Sequence, residues 1–316
     1  MKPQIEKIET GCRKFLGSAQ TVTETFLNVK DAGEIKVLTI NARPYSVTGE
    51  NLSGEAEYSG KLGIKAIVAD ADGNVSGLSY TADFGGTFKN AAVSPDVRLY
   101  FAPFVVDLSY KTDGGVYVRC VVETRVYSEN RQCAEVLGGC DGVECLMKNV
   151  ETARLKASAD TSFAVSDEIE VKHRIGKILM AQSDAVISSA ECGDGLVKVK
   201  GCVYTCVTYQ AGESDIRSVM AETPFDEELP AEGCSADCAV RAAVGGVNTR
   251  IRMEIAEEGE NRTFTAEMTV SVSVRCFDTV SVDVVSDAFS VNDELEIVSE
   301  TFTDCVPRGY FVVAGN

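Results

Sequence analysis

Residues 267–276 read Glu267-Met268-Thr269-Val270-Ser271-Val272-Ser273-Val274-Arg275-Cys276, and their alternation decides the fold class. Apolar side chains at 268, 270, 272, 274 and 276 alternate with polar ones at 269, 271, 273 and 275. A period of two puts the first set on a core and the second toward solvent, the pattern of a half-buried strand. Val280, Val282 and Val284 continue it, and Leu62, Ile64, Ala66 and Val68 repeat it earlier, as do Val118, Cys120, Val122, Thr124 and Val126. Between such runs stand Asp72-Gly73-Asn74, Asp113-Gly114-Gly115, Gly193-Asp194-Gly195, Gly245-Gly246 and Glu258-Gly259-Glu260-Asn261, all suited to hairpins. Many short strands joined by such turns predict antiparallel sandwiches or small open barrels.

The chain is written twice. Lys36-Val37-Leu38 is echoed by Lys177-Ile178-Leu179, Gly60 by Gly201 and Phe84 by Phe225, all at an offset of 141 (177 − 36). A second echo, of 162–171 in 288–297, has Phe163 against Phe289 at an offset of 126 (289 − 163). The difference, 141 − 126 = 15, predicts that many extra residues in the first copy, between Phe84 and Phe163. Two stretches depart from period two. Ile5, Ile8, Cys12 and Phe15-Leu16 predict a short amphipathic helix over 4–16 ended by Gly17. Within 140–157, Val143, Leu146, Met147, Val150, Ala153 and Leu155 predict an inserted helix or helix-plus-strand link. The expected organisation is therefore a helix at 1–17, a first repeat at 18–165 with an insert near 130–157, a second repeat at 166–298 and a tail at 299–316.

Composition narrows the function classes. A chain of 316 residues matches two cores at ~150 residues each. The formal net charge of −18 opposes a function built on phosphate neutralisation, so nucleic acid is not an expected partner. Acidic runs such as Asp226-Glu227-Glu228 read as solvated faces. The N-terminus lacks an apolar signal core, and no apolar run approaches the ~20 residues of a membrane span, so a soluble, cytoplasmic protein without membrane insertion is expected.

Catalytic chemistry finds no constellation in the sequence. The single histidine, His173, lies in the polar stretch Glu170-Val171-Lys172-His173-Arg174 and reads as a linker residue. No Gly-x-Ser-x-Gly or Walker-type motif occurs, and the carboxylates show no positional logic, so no enzyme, cofactor or catalytic residue is expected. Twelve cysteines in a chain of this length suit a reducing compartment and free thiols. Cys202 and Cys206, four apart on one strand, lie ~13 Å apart, too far to share a zinc ion. Cys234 and Cys238, like Cys140 and Cys145, can approach each other, but neither pair has Cys-x-x-Cys spacing, so no metal is expected.

Ile175-Gly176-Lys177-Ile178-Leu179, a strand opening at Gly201 and ending at Tyr209, then Glu222-Thr223-Pro224-Phe225 and the closing Ser286-Asp287-Ala288-Phe289-Ser290 together resemble the SPOCS domain of SipL-type spore coat proteins. The second copy is the closer match: Phe84 lacks the preceding proline. The resemblance implies a non-enzymatic morphogenetic protein of endospore formers, made in the mother cell and recruited to the forespore surface. Its partners would be spore coat or envelope proteins, or a second copy of itself. Members also tend to end in a LysM module, for which the eighteen residues after Val298 (316 − 298) are too few. The competing reading is a β-sandwich pair that binds cortex or cell-wall glycan; with no Trp, its aromatic platform falls to tyrosines such as Tyr45, Tyr58, Tyr80 and Tyr110.

Overall fold

A computed structural model describes residues 2–29, 33–212, 215–253 and 261–290, with 294 and 296. The expected tail at 299–316, the acidic stretch at 254–260, with most of the expected turn at 258–261, and most of 291–297 lie outside the described residues. Within them the chain forms twelve strands and no helix: β1 (Pro3–Leu27), β2 (Lys36–Asn51), β3 (Glu55–Ala69), β4 (Val75–Lys89), β5 (Arg98–Thr112), β6 (Val116–Cys140), β7 (Glu144–Glu170), β8 (Ile175–Cys192), β9 (Leu196–Ala211), β10 (Asp215–Pro230), β11 (Ala239–Arg252) and β12 (Thr263–Phe289).

The strands pair in four antiparallel sheets, β1-β6-β5 and β2-β3-β4, then β7-β12-β11 and β8-β9-β10. β1 to β6 make one module and β7 to β12 the other, each a pair of three-stranded sheets closed face to face over its own apolar cluster. Period two explains the cores. On β12, Phe264, Ala266, Met268, Val270, Val272, Val274 and Cys276 are all buried, and on β6 so are Val116, Val118, Cys120, Val122 and Val126. Each such valine contributes ~1.5–2 kcal/mol of burial.

The offset of 141 governs hydrogen bonds as well as letters. Leu52 N to Glu55 O, Gly54 N to Val93 O, Val93 N to Asn90 O and Val97 N to Ser94 O recur as Gly193 N to Leu196 O, Gly195 N to Cys234 O, Cys234 N to Ala231 O and Cys238 N to Ser235 O. The echoed Gly60–Phe84 and Gly201–Phe225 are cross-strand neighbours. Each phenylalanine folds over the glycine opposite it; a Cβ on Gly201 would lie 2.4 Å from the Phe225 ring and 2.1 Å from the Val186 carbonyl oxygen. Only glycine leaves that space.

Four expectations are corrected. Residues 4–16 are strand, not helix: β1 pairs with β6 from Pro3–Cys140 to Leu27–Val116, and such a ladder outweighs the weak tendency of so short a segment to form a helix. Gly17 is a bulge glycine at φ 146°, with the Phe88 ring packed against it, rather than a helix stop. Residues 140–157 hold no inserted helix; they are a turn and the opening of β7, which pairs with β12 from Phe289–Glu144 to Thr263–Glu170. The first copy carries no extra 15 residues either. β7 begins 141 residues after β1 (144 − 3), so Phe163, on the first strand of its module, and Phe289, on the last, are not equivalent. The register pairs Arg98 with Glu129 and Ala239 with Phe277, offsets of 141 and 148, so it is the second copy that is longer, by seven residues between β11 and β12. The expected division at 165/166 falls inside β7, and the strand pairing changes module at the 140–144 turn.

Two features tie the modules together. β5 stops pairing with β6 at Glu129 and β11 with β12 at Phe277. Beyond those points β1–β6 and β7–β12 continue as two-stranded arms, a form only marginally stable alone, and β1 runs close to β7. At their base Arg275 is buried. Its Nε and Nη2 each reach Glu129 Oε2 at 2.8 Å, and its Nη1 reaches Asp160 Oδ1 at 3.0 Å and Val274 O at 2.9 Å. Glu129 also meets the Nε atoms of Arg13 and Arg98 at 3.9 Å, while Arg13 stacks over Tyr100 and Tyr127. A second seam packs Ile67 and Val75 on Leu179 and Met180; beside it Arg43 pairs with Asp184, and Lys65 donates to Ala181 O at 2.6 Å.

Candidate functional sites, a buried thiol cluster and an exposed face

Three cysteines far apart in sequence meet in the second module. Cys192 ends β8, Cys234 sits in the β10–β11 loop and Cys276 faces inward on β12, and their sulfurs all lie within 4.8 Å of one another. The loop is fixed by the backbone bonds at Gly195, Cys234 and Cys238 described above. Cys238 is buried at its edge, with its Sγ 3.4 Å from Ser235 Oγ, which in turn accepts from Lys156 Nζ at 2.9 Å. Burial pushes the Cys192 thiol up to about 12, helped by the neighbouring Cys234, and raises Cys276 further for the same reasons. Without a ligand these thiols hold their protons at neutral pH.

Spacing along the sequence relates only near neighbours. Of the pairs it relates, Cys202 and Cys206 stand on the outer side of β9, as their strand spacing requires, and Cys140 and Cys145 flank the turn between modules on different ladders, opposite Pro3 and Ala288. Cys234 belongs to a cluster, with Cys192 and Cys276 rather than with Cys238 alone. A signal was present. The first-copy counterparts of 192, 234, 238 and 276, at offsets of 141, 141, 141 and 148, are Asn51, Val93, Val97 and Ser128, so all four cysteines are peculiar to the second copy and fall in one place.

The other candidate lies on the outer face of β8-β9-β10. Val203, Thr205 and Val207 point into the core, so Cys202, Tyr204 and Cys206 point out, flanked by Val186 and by Met220, which is 71% exposed. The equivalent outer face of β3 carries Lys61, Gly63 and Lys65, and Lys65 is spent on the seam with β8. The outer sheet of the second module is thus the more apolar and the less committed.

His173 is exposed in the β7–β8 connection. Of the tyrosines considered for glycan, Tyr58 is buried and bonds Thr21 within the first module, so it offers no platform. Tyr80 and Tyr110 are exposed; Tyr45 and Tyr80 line a polar cavity of about 180 Å³ between the modules, beneath the 300–1,000 Å³ usual for ligand sites. No helix of the described residues is long and apolar enough to cross a membrane.

Residues 174–252 match the family model described as SipL, SPOCS domain. The match spans β8 to β11, the strands that carry the exposed face and two of the three clustered cysteines. The resemblance read from the sequence holds there. No curated protein and no solved structure matches the chain.

Proposed function

We propose that this SPOCS-bearing chain is a non-catalytic scaffold or adaptor of spore envelope assembly, working in the mother-cell cytoplasm at the forespore surface through protein–protein contact. The match of residues 174–252 to the SPOCS domain carries the reading. Its chemistry is consistent with an exposed sheet face in which Val186, Tyr204 and Met220 present apolar surface, since exposed apolar patches mark protein contacts. The partner is a coat or envelope protein or a second copy of the chain; nucleic acid fits poorly with a net charge of −18.

The test is capture from sporulating cells with the whole chain and with Met220→Asp, Tyr204→Ser. Wild type is expected to retain a defined envelope component, and the double variant to lose it while keeping its circular dichroism. Retention of isolated cortex or wall glycan in place of any protein would overturn the scaffold in favour of the glycan reading. The open cleft lined by Tyr45, Tyr100, Arg98 and Asp160, of about 1130 Å³, is where that reading would place its ligand.

A further inference from the structure

Among the cysteines that the second module has and the first lacks, Cys192, Cys234 and Cys276 cluster with Cys238 at their edge, and chance does not readily put four there. Cys192, Cys234, Cys238 and Cys276 come from a strand end, two points of a loop and an inward strand position, four backbone locations with no local reason to prefer sulfur. The first module builds the same turns, with the same hydrogen bonds, from Asn51, Val93, Val97 and Ser128, so the fold does not need thiols there. In that module Asn51 donates to the carbonyl of Val97, which shows how near the positions of Cys192 and Cys238 lie.

We propose that Cys192, Cys234 and Cys276, closed by Cys238, form a binding site for a thiophilic d¹⁰ cation, with zinc as occupant. Tetrahedral zinc holds thiolates at ~2.3 Å, which places the sulfurs ~3.8 Å apart. Cys192, Cys234 and Cys276, already within 4.8 Å of one another, reach that geometry by shifts of under ~1 Å per sulfur, and Cys238 closes in from the edge of the cluster. A disulfide would use two of the four sulfurs and strand the other two.

The surroundings fit a thiolate site. Four thiolates around Zn²⁺ carry a net charge of −2, and Lys156, bonded through Ser235 to the edge of the cluster, brings an ammonium to it. Binding releases the thiol protons to solvent as four sulfur–metal bonds form, so affinity rises with pH. The bound ion would pin the end of β8, the β10–β11 loop and β12 to one another. It would thereby brace the module that carries the exposed face from behind, a role independent of what that face binds.

The experiment uses the whole reduced chain. Zinc content is measured after purification without chelator, and Co²⁺ is then titrated into metal-free protein, its thiolate charge-transfer and d–d absorption reporting ligand type and geometry. The control replaces the four cysteines by their first-module counterparts, Cys192→Asn, Cys234→Val, Cys238→Val and Cys276→Ser, a combination the first module shows this fold can pack. Wild type is expected to bind one equivalent with intense tetrahedral cobalt bands and to gain thermal stability on binding; the control is expected to lose all three and keep its far-UV spectrum. The single variant Cys238→Val is expected to lose the tetrahedral bands. If wild type binds no more metal than the control, or if thiol titration of the purified chain finds two of the cluster in a disulfide that metal cannot replace, the site is refuted. A cobalt spectrum unchanged by Cys238→Val overturns the fourth ligand.

Discussion

Replacing Arg275 by Met removes a cation buried between the modules. Its side chain and that of Glu129 are each 7% exposed. All three guanidinium nitrogens have acceptors among Glu129, Asp160 and the carbonyls of Val274 and Ala159. Without them the Glu129 carboxylate keeps only two arginine Nε atoms at 3.9 Å, from Arg13 and Arg98. Breaking a buried ion pair from one side costs about 3–5 kcal/mol, and the two remaining arginines place this case near the lower end, ~3 kcal/mol. With a urea dependence of ~2 kcal/mol per molar, the midpoint of the affected transition falls by ~1.5 M. Since the residue sits at the joint, the variant is also expected to unfold in two separated steps where the parent shows more coincident ones. Equilibrium urea denaturation followed by tyrosine fluorescence and circular dichroism measures both. The double variant Arg275→Met, Glu129→Leu, which strands no glutamate and leaves Asp160 with Arg98 at 2.6 Å, is expected to recover about half the loss. A single-variant loss under ~1 kcal/mol, or a double variant less stable than the single, would refute this account of the joint.

The echoed glycines respond unequally. Gly201→Ala drives its Cβ into both the Phe225 ring and the Val186 carbonyl, whereas Gly60→Ala meets the Phe84 ring at 2.7 Å and a methyl of Val47 at 3.0 Å; both destabilise by more than ~1 kcal/mol, and Gly201→Ala by more than Gly60→Ala, read from thermal midpoints. Acid loosens the joint: burial alone would raise the Asp160 carboxyl, but hydrogen bonds from Arg275, Ser273 and Arg98 overcome it and hold the group below 3.8. A depressed folded pKa contributes stability that is present above the unfolded value and lost as pH falls through the folded one. Urea midpoints should therefore hold down to about pH 4 and drop beneath it, and Asp160→Asn should flatten that drop. Cys276 and Cys192, held protonated by burial, are expected to react with a thiol reagent far more slowly at neutral pH than the outer-face Cys206, a ranking that mass spectrometry of timed quenches reads directly.

The strand content and the doubling were open to reading because each rests on single-residue chemistry. Alternation on β12 follows from which side of the strand meets a core, and Gly201–Phe225 recurs because only that pair fits its space. β1 and the start of β7 escaped because their arms have no core beneath them; Ile5, Leu146 and Met147 stay exposed, so no period of two was imposed on them. Arg275 fell on the polar face of its strand, as expected, but what covers that face is Glu129 of the other module rather than water, and nothing local to residues 267–276 encodes a neighbour 146 residues away. The thiol cluster was hidden for the same reason, since Cys192, Cys234 and Cys276 come together only once β8, the loop and β12 have closed over a common core.

The arms also set how the molecule would bear a load. Pro3 lies opposite Cys140 and Glu144 opposite Phe289, and a single turn, closed by Val143 N to Cys140 O at 3.2 Å, joins the two. Residues 3 and 289 thus lie at the ends of two ladders joined by that turn. A pull that drew them apart would open each ladder like a zip, rung after rung from that end, instead of shearing many rungs at once. The arms would yield at low force and pay out length, while the paired sheets beyond them would stay shut until the peel reached Glu129 and Arg275. Held at those two residues, such a chain would behave as an extensible tether with a built-in stop.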